Sequence, residues 1–172
     1  LAAKSTSDVL LMPGESFSYN KHTGSRTTSN GYKNAPVIVQ GVVQEGIGGG
    51  VCQVSSTLYN AVLYAGLEIE SIKNHSIPSS YVPKGRDATV SDGAIDFIFK
   101  NNRSYPIKIV ASANNGVCKI SMYGIKEETE YEVIIQSKVT SYINYTTTYK
   151  NDSTLAEGKE VVEQYGANGC RS

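Results

Sequence analysis

A single cysteine, Cys52, stands where a helix is predicted to begin, and the residues around it could support nucleophilic chemistry. Three consecutive glycines, Gly48 to Gly50, precede it. After it, apolar residues recur at spacings of three and four, the pattern of one buried stripe on a helix. This stripe consists of Val54, Leu58, Ala61, Val62 and Ala65. Because a helix N-terminus favours thiolate over thiol, Cys52 is a candidate nucleophile.

The glycine run next to Cys52 could also stabilise the oxyanion of an acyl-transfer reaction. Backbone N–H groups are suitable donors for this purpose, and Gly49, Gly50 and the side chain of Gln53 are the candidates. A structural interpretation of the same residues stays open. A free cysteine is often a small buried core residue, and consecutive glycines can form a tight turn between a strand and a helix.

The base that activates such a thiol has a candidate in His75. This histidine is one of two in the chain, and it follows an alternating segment, residues 67–72, that predicts a strand returning from the cysteine helix. The imidazole would need a third group to orient it. Asp87 is the favoured candidate, Asp96 is less favoured, and Asp92 lies in the same part of the sequence. The alternative for His75 is an ordinary loop histidine.

Two arginines could bind the carboxylate of a substrate, because guanidinium pairs with carboxylate in a bidentate geometry. Arg26 lies in a polar loop, residues 20–34, and Arg86 lies in an irregular loop, residues 77–92. A solvated loop arginine is the alternative for Arg26. We expect no metal site and no cofactor. The cysteines and histidines lack the close spacing of zinc ligands, and the glycine run lacks the lysine of a phosphate-binding loop.

The composition is that of a globular protein, and it argues against a nucleic-acid partner. Hydrophobic residues make up 40% of the 172 positions, and 16 basic side chains balance 16 acidic ones. No segment concentrates lysine and arginine as a nucleic-acid surface would. No run of 18 apolar residues is present, so membrane contact is expected only through segments outside residues 1–172. Because Leu1 is not an initiator methionine, we expect the chain to begin within a longer protein.

The remaining segments predict an α+β fold in which the helix, residues 54–65, packs on one antiparallel sheet. Residues 67–73, 94–100 and 106–123 alternate with period two and are expected to form that sheet, the last of them as a hairpin turning at Asn114 to Gly116. The order cysteine, histidine, aspartate also allows a papain- or transglutaminase-like core. Earlier in the chain we expect a helix at the first alanines, a short strand at Phe17 and Tyr19, and a strand over residues 35–43.

The last part of the chain changes in composition and has few catalytic residue types. Two long strands, residues 131–135 and 139–149, and a third at 160–162 are predicted from β-branched and aromatic residues. We therefore divide the chain into residues 1–126, which carry the site, and a β-rich extension, residues 127–172. The extension is expected to pack loosely and to hold no site residues.

The three cysteines leave two interpretations open. If the protein is extracellular, Cys118 and Cys170 are the pair most suited to a disulfide, which leaves Cys52 free. In a reducing compartment all three would be thiols.

Several stretches resemble the VanW-like family of Gram-positive bacteria, which is named after an accessory gene of glycopeptide-resistance clusters. The most specific of them is Gly48-Gly49-Gly50-Val51-Cys52-Gln53. The resemblance covers roughly residues 5–125 and implies an exported protein of the cell surface, with or without a membrane anchor. It also implies that the extension connects to a peptidoglycan-binding or G5-type module. The other matching stretches are residues 17–20, 23–27, 31–32, 65–69, 75–76, 81–90 and 96–97.

Two functions fit these observations. The first is a cysteine-dependent acyl-transfer enzyme (a peptidase, amidase or transpeptidase) acting on cell-wall peptides or peptidoglycan. Cys52 would be its nucleophile, His75 its base and Asp87 the orienting carboxylate. The second is a non-catalytic peptidoglycan- or envelope-binding module in which Cys52 is structural. A redox or scaffold role for the thiol is a less favoured third.

Overall fold

One long helix and several small antiparallel sheets make up the α+β fold of the computed structural model, which describes residues 1–39 and 42–172. Two shorter helices precede the long one. The elements are α1 (Ala2–Ser5), β1 (Val9–Leu11), β2 (Ser16–Ser18), α2 (Tyr19–Thr23), β3 (Asn34–Val39), β4 (Val42–Ile47), α3 (Val51–Tyr64), β5 (Glu68–Ser71), β6 (Ile98–Lys100), β7 (Ile107–Asn114), β8 (Val117–Gly124), β9 (Ser141–Ile143) and β10 (Gly169–Arg171).

Helix α3 is the helix that the apolar stripe predicted, and Cys52 is its second residue. Gly50 caps its N-terminus with φ +83°, a left-handed conformation that glycine adopts without steric cost. Gly66, with φ +64°, follows the C-cap, which is the usual position of a helix-ending glycine. The stripe residues Leu58 and Val62 are fully buried.

The single sheet predicted beneath this helix is in fact two sheets. One has the strand order β2-β6-β5 and the other the order β1-β7-β8. Every pairing within them is antiparallel, as predicted. The chain leaves the first sheet at the buried Asn101, whose side-chain amide donates to the carbonyls of Leu11 and Tyr105. The chain passes from one sheet to the other at this residue, and the period-two alternation of the sequence does not indicate where that happens.

The predicted β7–β8 hairpin is confirmed, and its turn residues Asn115 and Gly116 both have positive φ, as a tight two-residue turn requires. Helix α3 packs against strand β8. The Phe99 ring stacks on Phe17 and packs at a tilt against Phe97 in the adjoining core, and none of the three has exposed surface.

The predicted strand at residues 35–43 is wrong as a single strand. Strands β3 and β4 instead pair with each other in antiparallel register, from Asn34 opposite Ile47 to Val39 opposite Val42. Residues 40 and 41 of the predicted strand lie outside the described residues. A run of β-branched residues continues through both strands, so composition alone gives no sign of the reversal. The predicted N-terminal helix is present as α1.

The C-terminal segment forms far less strand than its composition predicted. The long strands expected at residues 131–135 and 139–149 reduce to β9, which pairs only with β10, and residues 160–162 are not a strand. Large side chains here stay exposed, for example Tyr149 and Tyr165 at 79% and 84%. A strand needs a partner and a buried face to be stable, and this segment supplies little of either.

The disulfide considered between Cys118 and Cys170 is not formed. Cys118 lies on β8 and Cys170 on β10, and both are free, as is Cys52. Across residues 1–39 and 42–172, no helix combines the length and the apolar character needed to cross a bilayer.

Candidate active site

His75 and Asp87 form a hydrogen-bonded pair in the irregular segment that follows β5. The imidazole Nδ1 lies 2.6 Å from Asp87 Oδ2, and the backbone N–H of His75 donates to the same oxygen at 2.7 Å. Asn74 donates its side-chain amide to Asp87 Oδ1 at 3.2 Å. Both side chains of the pair are enclosed, with 7% and 8% of their surfaces exposed. Asp87 therefore fixes the orientation of the ring, and Nε2 is the ring nitrogen left for another partner.

Polar residues on α3 hold the segment that carries Asp87. The buried Ser55 donates its hydroxyl to the carbonyl of Ala88 at 2.6 Å, and Ser56 accepts the N–H of Ala88 at 2.9 Å. Two turns along the helix from Cys52, Asn60 donates to the carbonyl of Arg86 at 2.8 Å. Helix α3 therefore carries Cys52 and also positions the Asp87 carboxylate.

The Cys52 thiol is half-buried between α3 and the same segment. Its Sγ lies 3.5 Å from the carbonyl oxygen of Val90, to which the thiol donates, and 3.9 Å from the hydroxyl of Thr89. Burial raises the pKa of the thiol, but hydrogen bonding with His75 and the positive charge of its imidazolium outweigh the effect of burial. The pKa of Cys52 consequently lies below its ordinary value.

Cys52, His75 and Asp87 each favour the charged form of the group next to them. Hydrogen bonding with Asp87, and then with Cys52, raises the pKa of His75 to about 9 against the opposing effect of burial. Burial raises the pKa of Asp87 as well, but its contacts with His75 prevail and hold it below the usual range. A low thiol pKa beside a high imidazole pKa favours a thiolate–imidazolium pair at neutral pH.

The glycine run has a conformational role and a packing role. A Cβ added to Gly49 would lie 2.1 Å from the Cβ of Ala35 on β3, so only glycine fits there.

The first turn of α3 has free backbone donors. Among the described residues the backbone N–H groups of Cys52 and Gln53 have no hydrogen-bond acceptor, whereas the N–H of Val54 donates to the carbonyl of Gly50. Free donors of this kind are the usual state of a first helical turn. The Gln53 side chain is exposed.

The two arginines proposed to bind substrate have other contacts. Arg26 is 8% exposed in its side chain, donates to Asn20 and Thr23, and pairs with Asp92 at 3.6 Å. Arg86 stacks its guanidinium 5.2 Å from the ring centroid of Tyr64, the last residue of α3. Twelve residues of helix separate that ring from Cys52, which is about 18 Å.

The other candidate aspartates are also engaged elsewhere. Asp96 accepts the hydroxyl of Ser18 at 2.6 Å and the N–H of Asn20 at 2.9 Å at the start of α2. The structure therefore brings Asp87, and not Asp96, to His75. Within the described ranges no group of three or more metal-ligating side chains comes together.

A cavity of about 650 Å³ opens beside His75 and Asp87, and we call it the His75 cavity. One wall comes from residues 74–87 and the other from the C-terminal segment, residues 143–144 and 167–172. The C-terminal segment therefore borders His75, and the expectation that it holds no site residues stays a prediction. A second cavity, of about 480 Å³, lies at the glycine run and includes Gly49, Gly50 and Gln53 in its lining.

Comparison with known proteins agrees with the motif around Cys52. A family model described as VanW like protein matches residues 1–123. The chain belongs to the VanW-like family. A second family model, the G5 domain, matches residues 126–172. The two matches together indicate a protein associated with the cell envelope.

Two curated relatives share the VanW-like region. The uncharacterized protein YoaR of Bacillus subtilis (strain 168) is 50% identical over 123 residues, which is 72% of this chain and 41% of the relative. The Vancomycin B-type resistance protein VanW of Enterococcus faecalis (strain ATCC 700802 / V583) is 34% identical over 107 residues, 59% of this chain and 39% of the relative. The chain thus spans about two fifths of the length of each. No solved structure matches it significantly.

Sequence reasoning missed one residue of the VanW-like region that contacts His75. The Tyr81 hydroxyl lies 3.5 Å from His75 Nε2, and its ring meets the imidazole edge to face at 6.3 Å between centroids. Burial raises the pKa of Tyr81 to about 12. Tyr81 belongs to an irregular loop between two prolines, where no periodic pattern could indicate its direction.

Proposed function

We propose that this protein is a cysteine-dependent acyl-transfer enzyme acting on peptides of the cell envelope. The observation that carries the proposal is that one segment, residues 87–90, contacts both His75 and Cys52. Asp87 holds Nδ1 of His75 at 2.6 Å, and the Val90 carbonyl oxygen and the Thr89 hydroxyl lie 3.5 Å and 3.9 Å from the Cys52 sulfur. The pKa of Cys52 is lowered and that of His75 is raised by their interaction, which are the directions that a thiolate–imidazolium pair requires. Nucleophile, base and orienting carboxylate are the three parts of a cysteine triad.

The reaction would proceed in two stages. The Cys52 thiolate attacks the carbonyl carbon of an amide, forming a C–S bond and a tetrahedral oxyanion. Collapse of this intermediate breaks the C–N bond, and the His75 imidazolium gives its proton to the departing amine. Water or a second amine then attacks the thioester, passes a proton to His75 and releases the thiolate. With water the enzyme is a peptidase or amidase, and with an amine it is a transpeptidase.

The first turn of α3 supplies candidates for stabilising the oxyanion. The N–H groups of Cys52 and Gln53 have no acceptor in the described structure and lie beside the thiol. Such fixed donors, together with the helix dipole, stabilise negative charge as it develops. The Gln53 side chain and the backbone at Gly49 and Gly50 border the smaller cavity and remain additional candidates.

The proposed setting is the outside of a Gram-positive cell. The G5 match and the resistance protein among the relatives support a peptidoglycan peptide as substrate and export to the cell surface. In this proposal residues 1–126 carry the chemistry, residues 127–172 lead towards or form part of a wall-binding module, and any membrane contact is made by other segments. A cysteine on a helix N-terminus, followed by histidine and aspartate, is consistent with a papain- or transglutaminase-like arrangement.

A binding module without catalysis is the alternative, and two observations favour it. The G5 match covers residues 126–172, and the His75 side chain is only 7% exposed, which limits access from solvent. In that case the Cys52, His75 and Asp87 contacts would stabilise the fold.

A covalent intermediate distinguishes the two functions. The chain is incubated with an activated acyl-peptide ester and its intact mass is measured after acid quenching. The enzyme proposal predicts a single thioester adduct on Cys52 that is absent in Cys52→Ala and retained when Cys118 and Cys170 are both changed to serine. Absence of the adduct, with peptidoglycan still bound equally by wild type and Cys52→Ala, would establish the binding module.

A further inference from the structure

The His75 cavity carries unpaired positive charge. Lys84 and Arg171 both line it, and neither has a carboxylate within 4.0 Å in the part of the chain that the structure describes. The Lys84 ammonium lies 5.2 Å from the centroid of the Tyr142 ring, a cation–π contact that leaves its positive charge available to a ligand.

The one acidic side chain in the described lining does not neutralise these cations. Asp87 is bonded to the ring and backbone of His75 and to Asn74, and the imidazolium balances its charge. The two cations come from opposite walls of the cavity, Lys84 from the loop after β5 and Arg171 from β10. A ligand between them would meet positive charge from both sides.

The rest of the lining suits a short peptide. Ser76, Ser79 and Asn144 offer hydrogen-bonding groups for amides, and Pro78 and Ile143 offer apolar surface. The volume, about 650 Å³, lies within the range of pockets that hold small ligands. Arginine pairs with carboxylates in a two-pronged geometry, while lysine contributes a point charge.

We propose that the His75 cavity binds the C-terminal end of a peptide and that Lys84 and Arg171 hold its carboxylate. The site would then require residues from both the VanW-like region and the segment that matches the G5 domain. This inference rests on the proposed function, since it names the substrate class of that function; the described lining of the cavity includes His75 and Asp87 but not Cys52. It also assigns carboxylate binding to two residues other than Arg26, which pairs with Asp92, and Arg86, which is not in the described lining of this cavity.

Binding is measured by calorimetry with Cys52→Ser protein, so that turnover plays no part. The probes are acetyl-trialanine with a free C-terminal carboxylate, the same peptide with a C-terminal amide, and inorganic phosphate. Lys84→Met and Arg171→Met remove one charge each, and Lys84→Arg and Arg171→Lys retain it. Lys159→Met is the matched control, because Lys159 is an exposed lysine of the same C-terminal segment outside the cavity lining.

The proposal predicts that the free carboxylate binds at least about tenfold more tightly than the amide, as expected for a charge-assisted bond. Each methionine variant should raise the Kd by about tenfold or more, the charge-retaining variants should recover much of the loss, and Lys159→Met should have no effect. Equal binding of acid and amide, no binding of either, or undiminished binding by the methionine variants would overturn it. Phosphate binding as tight as the peptide acid would also overturn it, in favour of a general anion site. Failure of acylation at Cys52 with this binding intact would refute only the proposed reaction.

Discussion

Replacing Asp87 by asparagine should lower the pKa of His75, and the structure sets the size of the effect. Asp87 Oδ2 accepts from the imidazole at 2.6 Å and from the backbone N–H of His75 at 2.7 Å. Asparagine can keep an acceptor oxygen but not the charge. The pKa of about 9 should therefore fall by at least about one unit, equivalent to about 1.4 kcal/mol. A full return to 6.5 is not expected, because the contact with Cys52 remains and solvent screens part of the lost charge.

The assay is an NMR titration of the histidine ring protons in wild type and Asp87→Asn. The chain has two histidines, so His22 provides an internal reference in the same spectra. Its ring stacks on Phe17 and its Nδ1 contacts the carbonyl of Ser18, away from the substitution. A His75 that titrates near 6.5 in the wild type, or one whose pKa is unchanged by Asp87→Asn, would refute the argument that the carboxylate sustains the imidazolium.

Three further predictions concern stability. Ser56→Ala leaves the backbone N–H of the buried Ala88 without its acceptor and should lower the free energy of unfolding by about 1–3 kcal/mol. Thr57→Ala is the control and should lower it by about 0.5 kcal/mol or less, because the half-buried Thr57 donates its hydroxyl to the Gln53 carbonyl of its own helix. Equal effects of the two substitutions in urea denaturation would contradict this. Gly49→Ala should lower the free energy of unfolding by about 1–3 kcal/mol, because the added Cβ would clash with Ala35. Gly50→Ala should lower it by about 1–2 kcal/mol, because alanine is strained in the left-handed conformation of residue 50. An unchanged thermal midpoint for either variant would be inconsistent with the loop geometry. A histidine whose pKa is raised on folding stabilises the folded protein fully below pH 6.5, and this stabilisation is lost as the pH rises through about 9. The difference in Tm between wild type and Asp87→Asn should therefore become smaller over that pH range. A difference in Tm that stays constant would contradict the charged His75–Asp87 pair.

The placement of Cys52 and His75 in the fold could be predicted because its signals are local. The apolar stripe of α3 fixes the helix, which places Cys52 at its N-terminus, and the alternation before His75 fixes the strand that returns to it. The sequence analysis favoured Asp87 over Asp96 as the partner of His75, which agrees with the hydrogen bond between Asp87 and His75. The reason for that contact, however, lies in how the Asp87 segment packs on α3. The segment around Asp87 is held by Ser55 and Ser56 on α3, and a sequence pattern does not show which loop a helix will hold.

The parts that could not be predicted depend on distant contacts. The chain passes from one sheet to the other at the buried Asn101, whose amide bonds to the carbonyl of Leu11, a residue 90 positions away that no local pattern could indicate. The C-terminal segment was expected to hold no site residues, and no pattern in its sequence indicates that β10 brings Arg171 to the lining of the His75 cavity. Composition predicted strands in this segment, but strand formation also requires a partner and a buried face, which few of its residues find.

The pH dependence of Cys52 alkylation tests the central claim most directly. Cys118 and Cys170 are changed to serine so that iodoacetamide reports on one thiol, and His75→Ala is compared with the parent and with His22→Ala as the matched control. The thiolate–imidazolium account predicts that the parent and His22→Ala react at neutral pH as a thiolate does. In His75→Ala the reactivity should shift to the higher pH of an ordinary thiol. A Cys52 that resists alkylation in the folded protein, or a pH profile that His75→Ala leaves unchanged, would contradict the account.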